Sequence, residues 1–427
     1  MTKSDETATM VTCQGIPPAL RRPLTMNLPP KPFPQETNAL RRWDIFCNVI
    51  DNFGDIGVCW RLARQLACEH GAEVRLWVDD LGAFKPLCPE LDAGCAVQRV
   101  RVSNAAHAAS IEVRHWPACF PSVEPGDVVI EAFACRLPES FEAAMAARVP
   151  QPVWVNLDYL SAEDWVVGCH ALPSPHPRLP LTKHFFFPGF TASTGGLLRE
   201  HGLSAACAAF GASPAQQEVF WRHLGFAPPA AGTLCVTLFA YENPALPALL
   251  DAWAGGDRPL CVLLPRSRPQ AGVEAWLGTA LPVGHTARRG QLEIRAIPFV
   301  SQSEYDRLLW LCEVNFVRGE DSFVRAQWAG SPLVWHIYPQ DDAAHRTKLE
   351  AFLAHYLAGL SPGAAQAVHD LHAAWNGFAA PATAGAAWHG VLSALPELAS
   401  HAQTWRKNLQ KQEDLCSSLV RFCRSKL

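Results

Sequence analysis

The sequence lacks any C-x-x-C pair, any zinc-type ligand spacing, a G-x-G-x-x-G turn, a Walker phosphate loop and any apolar run of membrane-spanning length. Each absence removes a class of function. Without paired C-x-x-C motifs, the 15 cysteines, an odd number, read as reduced thiols buried as small hydrophobes, neither a disulfide framework nor a metal site. Without the glycine fingerprints, neither a dinucleotide cofactor site nor a P-loop is expected. An excess of positive charge is also missing. The formal net charge of −4 gives no electrostatic footprint for a nucleic-acid backbone. With neither a signal-peptide core nor a spanning segment, the expectation is a soluble cytoplasmic protein with no membrane association.

What is present favours a large packed core. Hydrophobic residues make up 49% and charged residues 18% of 427 positions, which suits two domains better than one. The 15 tryptophans read as core and groove walls. Residues 1–41 are Pro- and Thr-rich without periodicity and read as a disordered leader. Strands are expected at Arg42–Val49, Glu73–Val78, Asp127–Phe133 and Val153–Leu157, and again, after Phe185–Phe190, at Leu234–Phe239, Leu260–Leu264, Leu292–Val300, Val314–Val317 and Leu333–Ile337. Helices are expected between them, at 58–70, Leu137–Arg148, Pro244–Trp253, Gln302–Cys312, Ser322–Ala329 and Thr347–Leu360. This alternation predicts α/β architecture with mostly parallel sheets. The stretch Gly211–Gly232 reads as a connection between domains. Residues 402–427 read as one long polar helix able to cross back onto the first domain.

Two loops stand out at strand ends, where open parallel sheets bind ligands. In the first, Asp51-Asn52-Phe53-Gly54-Asp55-Ile56-Gly57, a pair of carboxylates sits among glycines that let the backbone approach a ligand closely. Asp55 stands where an N-cap is expected, and capping or turn formation alone would account for either acid. Functionally, one acid could accept a proton while the other orients a cation. In the second, Arg318-Gly319-Glu320-Asp321-Ser322, a strand, a tight turn and a helix start form a natural anion site, and the extra acids suit hydroxyls such as a ribose offers. Arg318 needs an anionic partner, either Glu320 or a diphosphate. Arg325 is placed to pair with Asp321. Phe239 and Tyr241 share one face of a strand end and could stack a base. Phe299 reads as core or as part of the same platform, with Tyr305 nearby. Gln302 can both donate and accept, as reading a base edge requires. The scattered histidines, His336 and His345 included, give no clear role.

Four strings carry a resemblance: V-I-D-N-F-G-D-I-G-V-C-W-R-L-A-R (Val49–Arg64), I-P-F-V-S-Q-S-E-Y-D-R-L-L (Ile297–Leu309), F-V-R-G-E-D-S-F-V-R-A-Q-W-A-G (Phe316–Gly330) and W-H-I-Y-P-Q (Trp335–Gln340). The chain after the leader resembles the EarP family of protein-arginine rhamnosyltransferases. The resemblance implies a GT-B fold, with two Rossmann-like domains facing across a cleft. The first, residues 42–210 completed by helix 402–427, would bind the acceptor, and the second, residues 225–400, the nucleotide sugar. It implies an inverting, metal-independent enzyme without a cofactor. This enzyme would move L-rhamnose from TDP-β-L-rhamnose onto one arginine of translation elongation factor P, activating it. Asp51, Asp55 and Glu320 match the family's catalytic positions. Phe239, Tyr241, Phe299, Gln302, Tyr305, Arg318, Glu320, Asp321 and Ser322 match its donor pocket. Two other readings stand beside it: a GT-B transferase with a different nucleotide sugar or acceptor, and a non-catalytic nucleotide-binding protein of translation.

Overall fold

The computed structural model describes residues 40–426 apart from 52, 105, 106 and 341–343. The expected leader lies outside these residues except for Leu40 and Arg41, as does Asn52 of the acidic loop. Two sheets organise the rest. The first sheet contains β1 (Arg42–Cys47), β2 (Glu73–Val78), β3 (Val97–Ser103), β4 (Ala108–His115), β5 (Val128–Ala132), β6 (Val153–Leu157), β7 (Pro173–Pro175) and β8 (Thr182–Phe186), in the order β3-β4-β2-β1-β5-β6-β8-β7. The second contains β9 (Leu234–Leu238), β10 (Leu260–Pro265), β11 (Thr286–Arg289), β12 (Leu292–Ile297), β13 (Val314–Arg318) and β14 (Leu333–His336), in the order β11-β12-β10-β9-β13-β14. Central strands pair in parallel, and β3/β4, β7/β8 and β11/β12 close the edges as antiparallel pairs.

The chemistry of the strands explains these positions. The central strands β5, β6, β9, β10 and β13 are buried at every residue, as sheets covered on both faces require. Edge strand β3 alternates instead, with only Val100 and Val102 buried. That period-two pattern, V-Q-R-V-R-V-S, is a strand signal missing from the sequence-based assignment. In each sheet the strand order reverses at the centre, beside β1 and β5 in the first and β9 and β13 in the second. Ligand crevices form where neighbouring connections diverge in this way. The loops after β1, β9 and β13 carry Asp51, Tyr241 and Glu320. The two parallel-rich sheets are those of the expected GT-B fold.

Two expectations need correction. Gly211–Gly232 is no simple connector. It contains the helix Pro214–His223, following the helix Leu203–Gly211, and Phe210, Phe220, Trp221 and Leu224 bury against Cys261, Leu263 and Leu308 of the second lobe. The alanine-rich sequence is helix-forming, and its aromatics supply the packing face. The long helix expected over residues 402–427 is broken into Leu395–Leu409 and Leu415–Arg424. The break is stabilised by Asp414, whose carboxylate accepts from the Ser417 amide at 3.1 Å, and by Gln412, which donates to the Phe190 carbonyl at 2.6 Å. The last helix buries Leu415, Cys416, Leu419, Val420 and Cys423 in the core of the first lobe. Replacing fully buried Leu419 with alanine is therefore expected to cost about 2–5 kcal/mol, measured as a lower urea midpoint without a change in slope.

Candidate active site

The helix Gly54–His70 follows the acidic loop and is buried along nearly its whole length. Asp55 lies in its first turn, not at the N-cap, which is Phe53. Its carboxylate instead holds the preceding loop, accepting from the amides of Ile50 at 2.8 Å and Asp51 at 2.9 Å, and from the Tyr159 hydroxyl at 3.3 Å. Burial raises the Asp55 pKa, against these three hydrogen bonds.

The turn after β13 differs from expectation in its pairings. Ser322 lies in the first turn of the helix Asp321–Ala329. Its hydroxyl accepts from the Arg318 amide at 3.0 Å and donates to the Arg318 carbonyl. Arg318 does not pair with Glu320. Its guanidinium lies between two rings, 4.8 Å from the Phe239 centroid and 4.7 Å from that of Tyr241. Burial lowers its pKa. Arg325 pairs with Asp306 and Glu200, not Asp321. Glu320 reaches the other lobe, where it accepts from the Leu160 amide at 2.9 Å. Burial, with Asp55 adding like charge, pushes the Glu320 pKa up to about 8.

Two cavities meet at these loops. The first, about 660 Å³, is lined by Phe53, Phe239, Phe299, Gln302, Tyr305, Arg318, Asp321 and Ser322 among others. Phe299 is 39% exposed and leans on Phe53 at 5.4 Å, so it forms wall and not core. Three buried polar atoms here have no hydrogen-bond partner among the described residues: Gln302 Oε1, the Tyr305 hydroxyl and Arg318 Nη1. Unpaired buried polar groups are uncommon, and three converging on one cavity point to a polar ligand. The second cavity, about 890 Å³, is lined by Asp55, Glu320, Lys348 and the rings of Phe133, Tyr159, Trp335 and Tyr338. Asp51 and Gly54 line both.

The wall between the cavities is a contact between lobes. The Tyr241 hydroxyl donates to Asp51 Oδ2 at 2.6 Å. Gly319, with φ +58°, passes beside this bond, and a Cβ there would come within 2.8 Å of Asp51 Oδ2. His336, without a role in the sequence reading, accepts from the Tyr241 amide through Nδ1 at 3.3 Å, and burial lowers its pKa to about 3. It is therefore a neutral acceptor that fixes the Tyr241 backbone. The sequence reading also missed Arg266, Tyr159 and Arg61, which line one cavity or the other. A signal for Arg61 was available: a charge inside an apolar helix requires partners.

A family model described as "Elongation-Factor P (EF-P) rhamnosyltransferase EarP" matches residues 43–424. The chain belongs to the EarP family. A protein-arginine rhamnosyltransferase of Pseudomonas putida is 53% identical over 386 residues, covering 90% of this chain and 99% of the relative. The protein-arginine rhamnosyltransferase of Pseudomonas aeruginosa is 49% identical over 381 residues, covering 89% of this chain and 98% of the relative. A solved structure described as the structural basis for EarP-mediated arginine glycosylation of translation elongation factor EF-P superposes with a TM-score of 0.62 at 39% identity. It matches 90% of this chain and 99% of its own. The EarP match takes in both sheets, both cavities and the last helix.

The raised Glu320 pKa gives a pH signature. Between the ordinary carboxylate value of 4.5 and about 8, the unfolded chain has lost this proton while the folded chain keeps it. Stability should thus fall as pH rises through that window and level off above it. Glu320→Gln removes this titration, yet its amide oxygen can still accept from Leu160. Its thermal midpoint relative to wild type should rise between about pH 5 and about pH 8.5. A constant difference across that range would contradict the assignment.

Proposed function

We propose that the protein is an inverting, metal-independent transferase. It moves L-rhamnose from TDP-β-L-rhamnose to an arginine side chain of translation elongation factor P, in the cytoplasm and without a cofactor. The lobe built on the first sheet, completed by the last helix, takes the acceptor, and the lobe built on the second takes the nucleotide sugar. The observation that carries this reading is the pair of adjoining cavities sharing Asp51. One offers what a nucleoside diphosphate needs: rings for a base, an amide edge at Gln302, carboxylate at Asp321 for hydroxyls, and Arg318 with an unpaired donor for phosphate. The other combines carboxylates with aromatic walls, which suits a guanidinium.

An arginine is protonated at any working pH and must lose a proton to become a nucleophile. In the proposed step Asp55 takes that proton, while Asp51 and Glu320 orient the guanidinium. The arginine nitrogen bonds to the anomeric carbon from the face opposite the leaving group. The bond from that carbon to the diphosphate oxygen breaks, and its electron pair leaves with TDP, so β becomes α. Arg318 offsets the growing negative charge, the type of preorganised stabilisation that often dominates a rate enhancement. A well-placed base contributes about 10²–10⁴-fold.

Incubation of purified elongation factor P with the enzyme and TDP-rhamnose should add one deoxyhexose by intact mass. No shift with this donor, or a shift with another nucleotide sugar, would point to a different transferase. Asp55→Asn is expected to lose about 10²-fold or more in turnover while still binding TDP. Arg318→Ala should weaken TDP binding about tenfold or more by calorimetry, since its Nη1 has no hydrogen-bond partner among the described residues.

A further inference from the structure

Arg61 sits midway along the buried Gly54–His70 helix, with a side chain only 2% exposed. All five of its N–H donors meet acceptors. Nε donates to Asp321 Oδ1 at 2.7 Å, Nη1 to Glu200 at 3.4 Å and Asp306 at 3.3 Å, and Nη2 to Asp306 and the Gln302 carbonyl, both at 3.2 Å. Arg325 completes the group, donating to Asp306 at 2.7 and 2.8 Å and to Glu200 at 2.6 Å. Two arginines bond three carboxylates, and Arg64, partly buried beside them, adds a further positive charge near Glu200 and Asp306.

Asp321 is the carboxylate of this group that lines the first cavity, next to Arg61. Arg61 of the first lobe holds one of its oxygens, and Gln302 Nε2 of the second holds the other at 3.1 Å. That same amide nitrogen donates to the Gly57 carbonyl at 3.0 Å. Gly57 permits the approach, since a Cβ there would lie 3.1 Å from Asp321 Oδ2.

We infer that Arg61 is a positioning residue for the nucleotide site: it fixes Asp321 across the gap, so that the donor cavity is complete only when the lobes meet. This rests on the reading that the first cavity takes the nucleotide. Without Arg61 the group loses one positive charge, Asp321 loses one of its two anchors, and an incoming diphosphate meets a more acidic wall. Nucleotide affinity and lobe separation then change together. Lysine keeps the charge but not the planar fork, so it restores only part of both.

The test measures TDP affinity by calorimetry, donor KM and kcat, and the radius of gyration by small-angle scattering. The samples are wild type, Arg61→Gln, Arg61→Lys and Arg318→Ala. For Arg61→Gln the expected result is about tenfold or more weaker TDP binding, a larger radius of gyration, and a donor KM raised more than kcat is lowered. Arg61→Lys should fall between Arg61→Gln and wild type, and it decides the matter if Arg61→Gln does not fold. Arg318→Ala should weaken TDP without changing the radius. Wild-type affinity and radius in the Arg61 variants, with or without a lower melting point, would overturn the inference while leaving the nucleotide reading intact. If wild type itself does not bind TDP, the nucleotide reading falls and the inference falls with it.

Discussion

A guanidinium taken out of water is tolerated only when its surroundings replace every hydrogen bond that water supplied. Arg61 meets that condition with acceptors drawn from the Gln302 and Asp321 helices and from Glu200. This one requirement fixes how the first helix lies against the second lobe. The cavities sit where they do because that helix is anchored at its middle, while its beginning carries the acidic loop. The Tyr241–Asp51 bond and the Glu320–Leu160 bond are further ties across the same gap. Each involves a group proposed to act on substrate, so the contacts joining the lobes and the contacts serving chemistry are largely the same atoms.

The two cavities differ in what burial does to them. In the first, Arg318 is partly desolvated between rings, with an unpaired donor, so the site favours an anion. In the second, Asp55 and Glu320 are both shifted toward their protonated forms. A cation entering that chamber would reverse the shift, since a nearby positive charge favours ionised carboxylates. An ionised carboxylate held beside a guanidinium is the state a base for arginine needs.

Much of this could be read from the residues. The largely apolar strands announced parallel sheets, and the strand–turn–helix at Arg318–Ser322 lines the first cavity. Phe239 and Tyr241, two residues apart, do share a face, with Arg318 lying against both rings. The errors came from pairing by proximity in sequence. Asp321 was given Arg325, one turn away, but its partner is Arg61, 260 positions distant. Arg318 was offered Glu320, but that carboxylate bonds a backbone amide of the other lobe. Asp55 looked like a cap because caps are local, whereas it accepts from residues before the helix. Local rules assign a polar residue its nearest plausible partner, and only the assembled tertiary structure can offer a better one. The break at Asp414 was missed for the opposite reason. Its signal was local, an Asp followed three residues later by Ser417, but it lay inside a long polar run.

Gly57 sets a limit on how this chain can vary. The acids Asp51 and Asp55 lie just ahead of it and Arg61 one turn beyond, on a helix that advances about 1.5 Å and turns about 100° per residue. A single-residue insertion or deletion between Asp55 and Arg61 would swing one set of groups about a quarter-turn around the axis relative to the other. It would also present a side chain where Asp321 now touches bare backbone. This segment therefore acts as a ruler, and its length should tolerate change far less than the loops at the sheet edges.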